Sequence, residues 1–105
     1  MKTHVTVPRR AYPEAVREIA QEKLDSLAKY SDRLESLRAT LDRQRVGHRV
    51  EFLVHVADGA TLVVDSKADS IEEALDDAHQ RMKALLLKHK RRMVQRHRAA
   101  RRPTR

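Results

Sequence analysis

The chain has 105 residues, 23 of them Lys or Arg against 15 Asp or Glu, and no cysteine. That length holds one domain with a single modest core, and the missing cysteines exclude disulfides and thiolate metal sites. No stretch approaches the roughly 20 apolar residues of a membrane span, and the start MKTHVTVPRR lacks the apolar run of a signal peptide, so a cytoplasmic setting is expected.

In chain order, Val5 and Val7 alternate with His4 and Thr6, the pattern of a short strand with one apolar face, which Pro8 ends. The spacing in AYPEAVREIAQEKLDSLAKY (11–30) predicts a helix, with Pro13 at its first position and Glu14 favouring the positive helix start. Tyr12, Val16, Ile19, Ala20, Leu24 and Leu27 fall on one side of it, while Arg17, Glu18, Glu22 and Asp25 face water. In RLESLRATLDRQR, Leu37, Ala39 and Leu41 alternate with Arg38, Thr40 and Asp42, which favours an amphipathic strand. VEFLVHV is a strand with Val50, Phe52, Val54 and Val56 on one face, and ATLVVDS follows it after Asp58-Gly59. A two-residue Asp-Gly turn would set Phe52 against Asp65. A three-residue turn, Ala57-Asp58-Gly59 with Gly59 left-handed, sets Phe52 against Val64 and Val54 against Leu62. The second register puts apolar against apolar and is the one expected.

Ser70, with Glu73 three residues on, forms the signature of a capping box opening the last helix. Ile71, Leu75, Ala78, Met82, Leu85, Leu86, His89 and Met93 recur at steps of three and four, and the pattern holds to about residue 98. Such a helix spans roughly 43 Å, against about 23 Å for a seven-residue strand. It must outrun its sheet and project as a charged arm. The expected fold is therefore α+β, ordered β-α-β-β-β-α: a four-stranded mixed sheet with both helices packed on one face. The other face, carrying Lys2, His4, Arg38, Thr40 and His55, is left to solvent or to a partner. Residues 1–92 read as the folded domain and 93–105 as a basic C-terminal arm, where Pro103 and the polar end suggest disorder in the unbound protein.

No enzymatic constellation is legible. Glu72-Glu73 and Asp76-Asp77 suit the N-terminal turns of a helix. The six histidines have no metal-ligand spacing, the two glycines cannot build a phosphate loop, and no Ser/His/Asp arrangement appears. Neither a cofactor nor a small-molecule substrate is expected.

The cations differ from an ordinary solvated face. Residues 78–105 carry 11 Lys or Arg and no acid, whereas residues 1–77 carry 12 against 15. A solvated helix interleaves signs to gain i,i+4 pairs, and this one does not; segregation on this scale implies a polyanionic partner. On a helical wheel Arg81, Lys88 and Arg92 line one flank of the apolar stripe, Lys83 and Lys90 line the other, and Arg91 lies in the same run. The three aromatic residues, Tyr12, Tyr30 and Phe52, all belong to inward positions, so no platform for stacking single-stranded bases is expected. Binding would proceed through phosphates and shape, as suits folded RNA or duplex.

Two stretches resemble the ribosome hibernation-promoting factor family, also called ribosome-associated inhibitors or sigma-54 modulation proteins. In EAVREIAQEKLDSLAKY the similar positions are Ala15, Val16, Arg17, Lys23, Leu24, Leu27 and Tyr30. In EEALDDAHQRMKALLLKHKRR they are Ala74, Leu75, Asp76, Leu86, Lys88, His89 and Lys90, with Arg81-Met82 standing for Lys-Leu. DGATLVV fits the family's hairpin. The likeness covers about residues 2–92. It implies a protein that binds rRNA of the small ribosomal subunit in the mRNA and tRNA channel and idles translation in stationary phase or stress. It also implies backbone contacts from Lys23, Arg81, Lys88 and Lys90. Ser70 and Glu72 stand where the family often has Asp-x-Tyr, and Ala84-Leu85 where it has Arg-Gln. The long members' C-terminal dimerisation domain has no counterpart in these residues, so a monomer off the ribosome is expected. The rival reading is a non-ribosomal module for double-stranded or structured RNA.

Overall fold

The structure, a computed structural model, describes residues 2–100. Four strands, β1 (Lys2–Thr6), β2 (Leu34–Arg43), β3 (His48–Val56) and β4 (Thr61–Ala68), form one sheet in sequential order. The helix α1 (Glu14–Ser26) links β1 to β2, which run parallel; β2–β3 and β3–β4 are antiparallel. The long helix α2 (Ile71–Ala100) closes the chain. This is the expected β-α-β-β-β-α order, and both helices lie on one face: α1 against β1 and β2, α2 against β3 and β4.

Alternation decides which face is covered. Val5, Ala39, Phe52 and Val64 stand opposite one another across all four strands and are buried, with Leu37, Leu41, Val50 and Val54 in adjacent rows. One row over, His4, Arg38, Leu53 and Val63 align on the outer face, where His4, Arg38 and Val63 are exposed and Leu53 half-buried. Ala20, Leu24 and Leu27 from the first helical segment, and Ile71, Ala74, Leu75, Ala78, Met82 and Leu86 from α2, complete the core. Among the described residues the one buried polar side chain, Ser66, lies under α2 and donates its hydroxyl to the Asp77 carboxylate, so its burial leaves no unpaired group.

The β3–β4 hairpin has the three-residue turn and the expected register, Phe52 opposite Val64 and Val54 opposite Leu62. Gly59 is left-handed at φ 92°, its N–H donates to the Val56 carbonyl, and the Asp58 carboxylate accepts from the Ala60 N–H. At the start of α2 the Glu73 N–H donates to the Ser70 hydroxyl, the Ser70 half of the capping box.

Three features depart from expectation. Pro13 caps α1 from an extended conformation (ψ 162°) instead of occupying its first turn, so Tyr12 lies outside the helix and hydrogen-bonds His48 across the loops at 2.7 Å. The helical stretch also tightens to a 3-10 segment over Leu27–Tyr30, and Ile19 lies 40 % exposed instead of facing inward. Between β1 and α1, Pro8–Arg10 make a tight turn in which both Arg9 and Arg10 have positive φ, stabilised by Arg10 N–H to Val7 O and Ala11 N–H to Pro8 O.

Gly47, at φ 82° in the β2–β3 turn, sits so close to Ala68 that an added Cβ would lie 2.9 Å from its carbonyl oxygen; at Gly59 the same atom would meet open space. Left-handed strain alone costs about 1–2 kcal/mol for a non-glycine residue. Gly59→Ala should therefore lower stability by about that amount, and Gly47→Ala by more, because the backbone must also shift. Urea denaturation of the two variants checks this; equal losses would mean that the Ala68 contact yields freely.

Candidate nucleic-acid interface

The buried stripe of α2 fixes where its cations point. Arg81 reaches toward β4, donating to the Asp65 carbonyl at 2.8 Å and lying 3.4 Å from the Asp77 carboxylate. On the opposite flank the Lys83 ammonium lies 5.0 Å from the centre of the Tyr30 ring, within cation–π range. Lys23, on α1, pairs with Asp76 at 2.5 Å. These three expected contact residues are thus engaged within the protein. Lys88, Lys90, Arg91 and Arg92 are exposed and make no ion pair among the described residues. The seven residues singled out in the sequence divide into a tied group near the domain centre and a free group on the distal half of α2.

That distal half extends beyond the sheet. Leu86 is the last buried residue among those whose burial is described, and one turn later His89 Nε2 donates to Asp58 Oδ2 at 2.8 Å, fastening the helix to the hairpin turn. Asp58 is held ionised: the Ala60 N–H bond, followed by the nearby His89, lowers the carboxyl pKa below its ordinary value. Beyond this fastening α2 continues from Lys90 to Ala100, about 16 Å of helix. The arm is helical that far; the remaining part expected to be disordered, with Pro103, lies outside the described residues.

The opposite charge collects elsewhere. Glu14, Glu18, Glu22 and Asp25 are exposed along α1, and Glu72, Glu73 and Asp76 along the first turns of α2. A polyanion is repelled there and attracted at Lys88–Arg92, so the approach is directional. Lys23, set among Glu22, Asp25 and Asp76, faces the unfavourable side. Arg38 sits on the outer sheet face, as expected. One cation escaped the sequence reading. Arg33, beside β2, is brought by the fold to the same cleft as Lys90, and no local pattern announces that approach.

His79 lies between the two charged regions. The Ser26 hydroxyl has one hydrogen, which points to the Lys23 carbonyl at 2.7 Å, so His79 Nε2–H donates to Ser26 Oγ, also at 2.7 Å. Burial, then Lys23 and Lys83, lower the His79 pKa from the ordinary histidine value. Among the described residues no group of His, Asp or Glu is placed to hold a metal ion, and no helix is long and apolar enough to cross a membrane.

A mixed sheet covered on one face by two helices, with an overhanging helix whose exposed cations make no ion pair among the described residues, defines a small α+β domain with a segregated basic surface. Residues 5–94 match the family described as sigma 54 modulation protein / S30EA ribosomal protein, and the chain belongs to that family. It is 25 % identical over 83 residues to a ribosome hibernation promoting factor of Azotobacter vinelandii, a match covering 79 % of this chain and 77 % of that protein. The fold is also that of a ribosomal subunit interface protein from Coxiella burnetii, with a TM-score of 0.76 and 19 % identity over 86 % of this chain and 98 % of the other. The N-terminal domain of Protein Y from Thermus thermophilus superposes with a TM-score of 0.73 and 20 % identity, covering 85 % of this chain and 99 % of that one.

Because the native state lowers the His79 pKa, the unfolded chain binds its proton more readily. The His79 contribution is therefore complete above the unfolded pKa of about 6.5 and is lost as pH falls below it toward the folded value. Melting temperatures at pH 7.5 and 5.5 should fall further for wild type than for His79→Gln. An identical fall in both would remove His79 from the acid response.

Proposed function

We propose that this chain is a ribosome-associated hibernation factor, which binds rRNA of the small subunit in the mRNA and tRNA channel and inhibits translation in stationary phase or stress. The observation that carries the reading is the set of unpaired cations Lys88, Lys90, Arg91 and Arg92 on the overhang of α2, in a chain of this family. The overhang presents cations along a helix that need not fold on contact, and the charge is suited to phosphates, not to reading base sequence along a duplex. The protein acts in the cytoplasm, as a monomer before it meets the ribosome, by occupancy and not by catalysis. Arg81, Lys83 and Lys23 serve the interface indirectly, by holding α2 against β4, the 3-10 segment and α1.

Each phosphate neutralised contributes about −0.7 to −0.9 to the slope of log affinity against log salt. Lys88→Glu, Arg91→Glu and Arg92→Glu together should abolish co-sedimentation with small subunits. Circular dichroism should be unchanged and stability should move by no more than about 0.5 kcal/mol per site, since none of the three packs in the core. Wild-type protein should compete with tRNA for the subunit and inhibit a cell-free translation extract, and the triple variant should do neither. Binding to duplex RNA as tightly as to subunits, without tRNA competition, would establish the general RNA-binding module instead. Subunit binding that leaves tRNA occupancy and translation untouched would falsify the hibernation reading.

A further inference from the structure

Where α2 leaves the sheet, it roofs a cleft of about 470 Å³ between its own underside, the hairpin turn and the segment entering β2. The volume lies within the roughly 300–1,000 Å³ typical of small-molecule sites. Its floor is aliphatic, formed by Val56, Leu86 and Met93. Arg33 and Lys90 also line it, as does the Asp58 carboxylate, which is held by the Ala60 N–H and by His89. Lys90 belongs both to this cleft and to the free-cation surface of α2, so the two are continuous.

We propose that this cleft receives one unstacked nucleotide of the RNA bound along α2, with a base that carries an exocyclic amine. The inference rests on the RNA-binding reading above and adds to it a point of base recognition. A flat base can be held between apolar side chains as well as between aromatic ones, and Met93 supplies a polarisable sulfur for the π-system. The flanking phosphate lies between Arg33 and Lys90. Asp58 is an acceptor only: Oδ1 takes the Ala60 N–H and Oδ2 takes His89, and each oxygen keeps a lone pair. An amine of adenine or cytosine donates to that carboxylate, whereas the corresponding edge of uracil presents a carbonyl oxygen and is repelled. An apolar side chain from a protein partner would use the floor but leave Arg33, Lys90 and Asp58 without a role.

The test is methyl NMR of the full chain titrated with adenosine monophosphate, uridine monophosphate or inorganic phosphate. Adenosine monophosphate should shift the methyl signals of Val56, Leu86 and Met93. Uridine monophosphate should do so several-fold more weakly, and phosphate should leave them in place. Met93→Glu, at a partly exposed position beyond the last buried residue, should abolish these shifts and weaken subunit binding more than Gln95→Glu, which adds the same charge on the same overhang outside the cleft. Absent methyl shifts, equal shifts with the uridine nucleotide, or equal losses from the two glutamate variants would each overturn the cleft assignment while leaving subunit binding by α2 intact. Failure of wild-type protein to bind subunits would overturn the RNA-binding reading, and the nucleotide titration would still decide the cleft on its own.

Discussion

The register of the β3–β4 hairpin is the constraint on which the remaining structure rests. A side chain in a strand faces one side or the other, and a slip of one residue exchanges the two faces. With Phe52 opposite Val64, the row from Val5 through Ala39 becomes continuous across all four strands and gives both helices one apolar surface to cover. The turn that sets this register, Ala57-Asp58-Gly59, also supplies the carboxylate that fastens His89. One short turn therefore aligns the sheet, and it also sets the point at which α2 departs from it.

Much of this architecture was legible in the sequence because it follows from periodicity. The alternation through Leu37, Ala39 and Leu41 made β2 a strand despite its many charges, and the choice of hairpin register needed only the cost of placing Asp65 against Phe52. The α2 stripe and its length were equally plain. The local geometry around α1 was not. Consecutive positive φ values at Arg9 and Arg10 are disfavoured by the residues themselves and reflect closure of the chain between β1 and α1. The 3-10 tightening at Leu27 likewise expresses packing and not propensity.

For the interface, composition revealed which helix bears the charge but not which charges are free. The partners of Arg81, Lys83 and Lys23 are the Asp65 carbonyl, Tyr30 and Asp76, and only the first of these cations also has a partner within reach of sequence reasoning, Asp77 four residues away. The others are separated by 53 residues, as are Ser26 and His79. Arg33 and Lys90 share a cleft for the same reason: the fold, and no motif, joins them. The expectation that no aromatic platform would stack single-stranded bases came from the inward aromatics; an aliphatic cleft such as the one lined by Val56, Leu86 and Met93 has no sequence signature.

The separation of acidic α1 from the basic end of α2 gives the molecule an electric dipole as well as a net charge of +8. A net charge draws a protein toward a polyanion; a dipole turns it on the way. Torque from a negatively charged surface acts beyond the range of any contact, within the screening length of about 8–10 Å at physiological salt. Encounters with a polyanion would then begin with the basic end of α2 leading and α1 trailing. A chain with the same net charge spread evenly over its surface would arrive as often, but in every orientation.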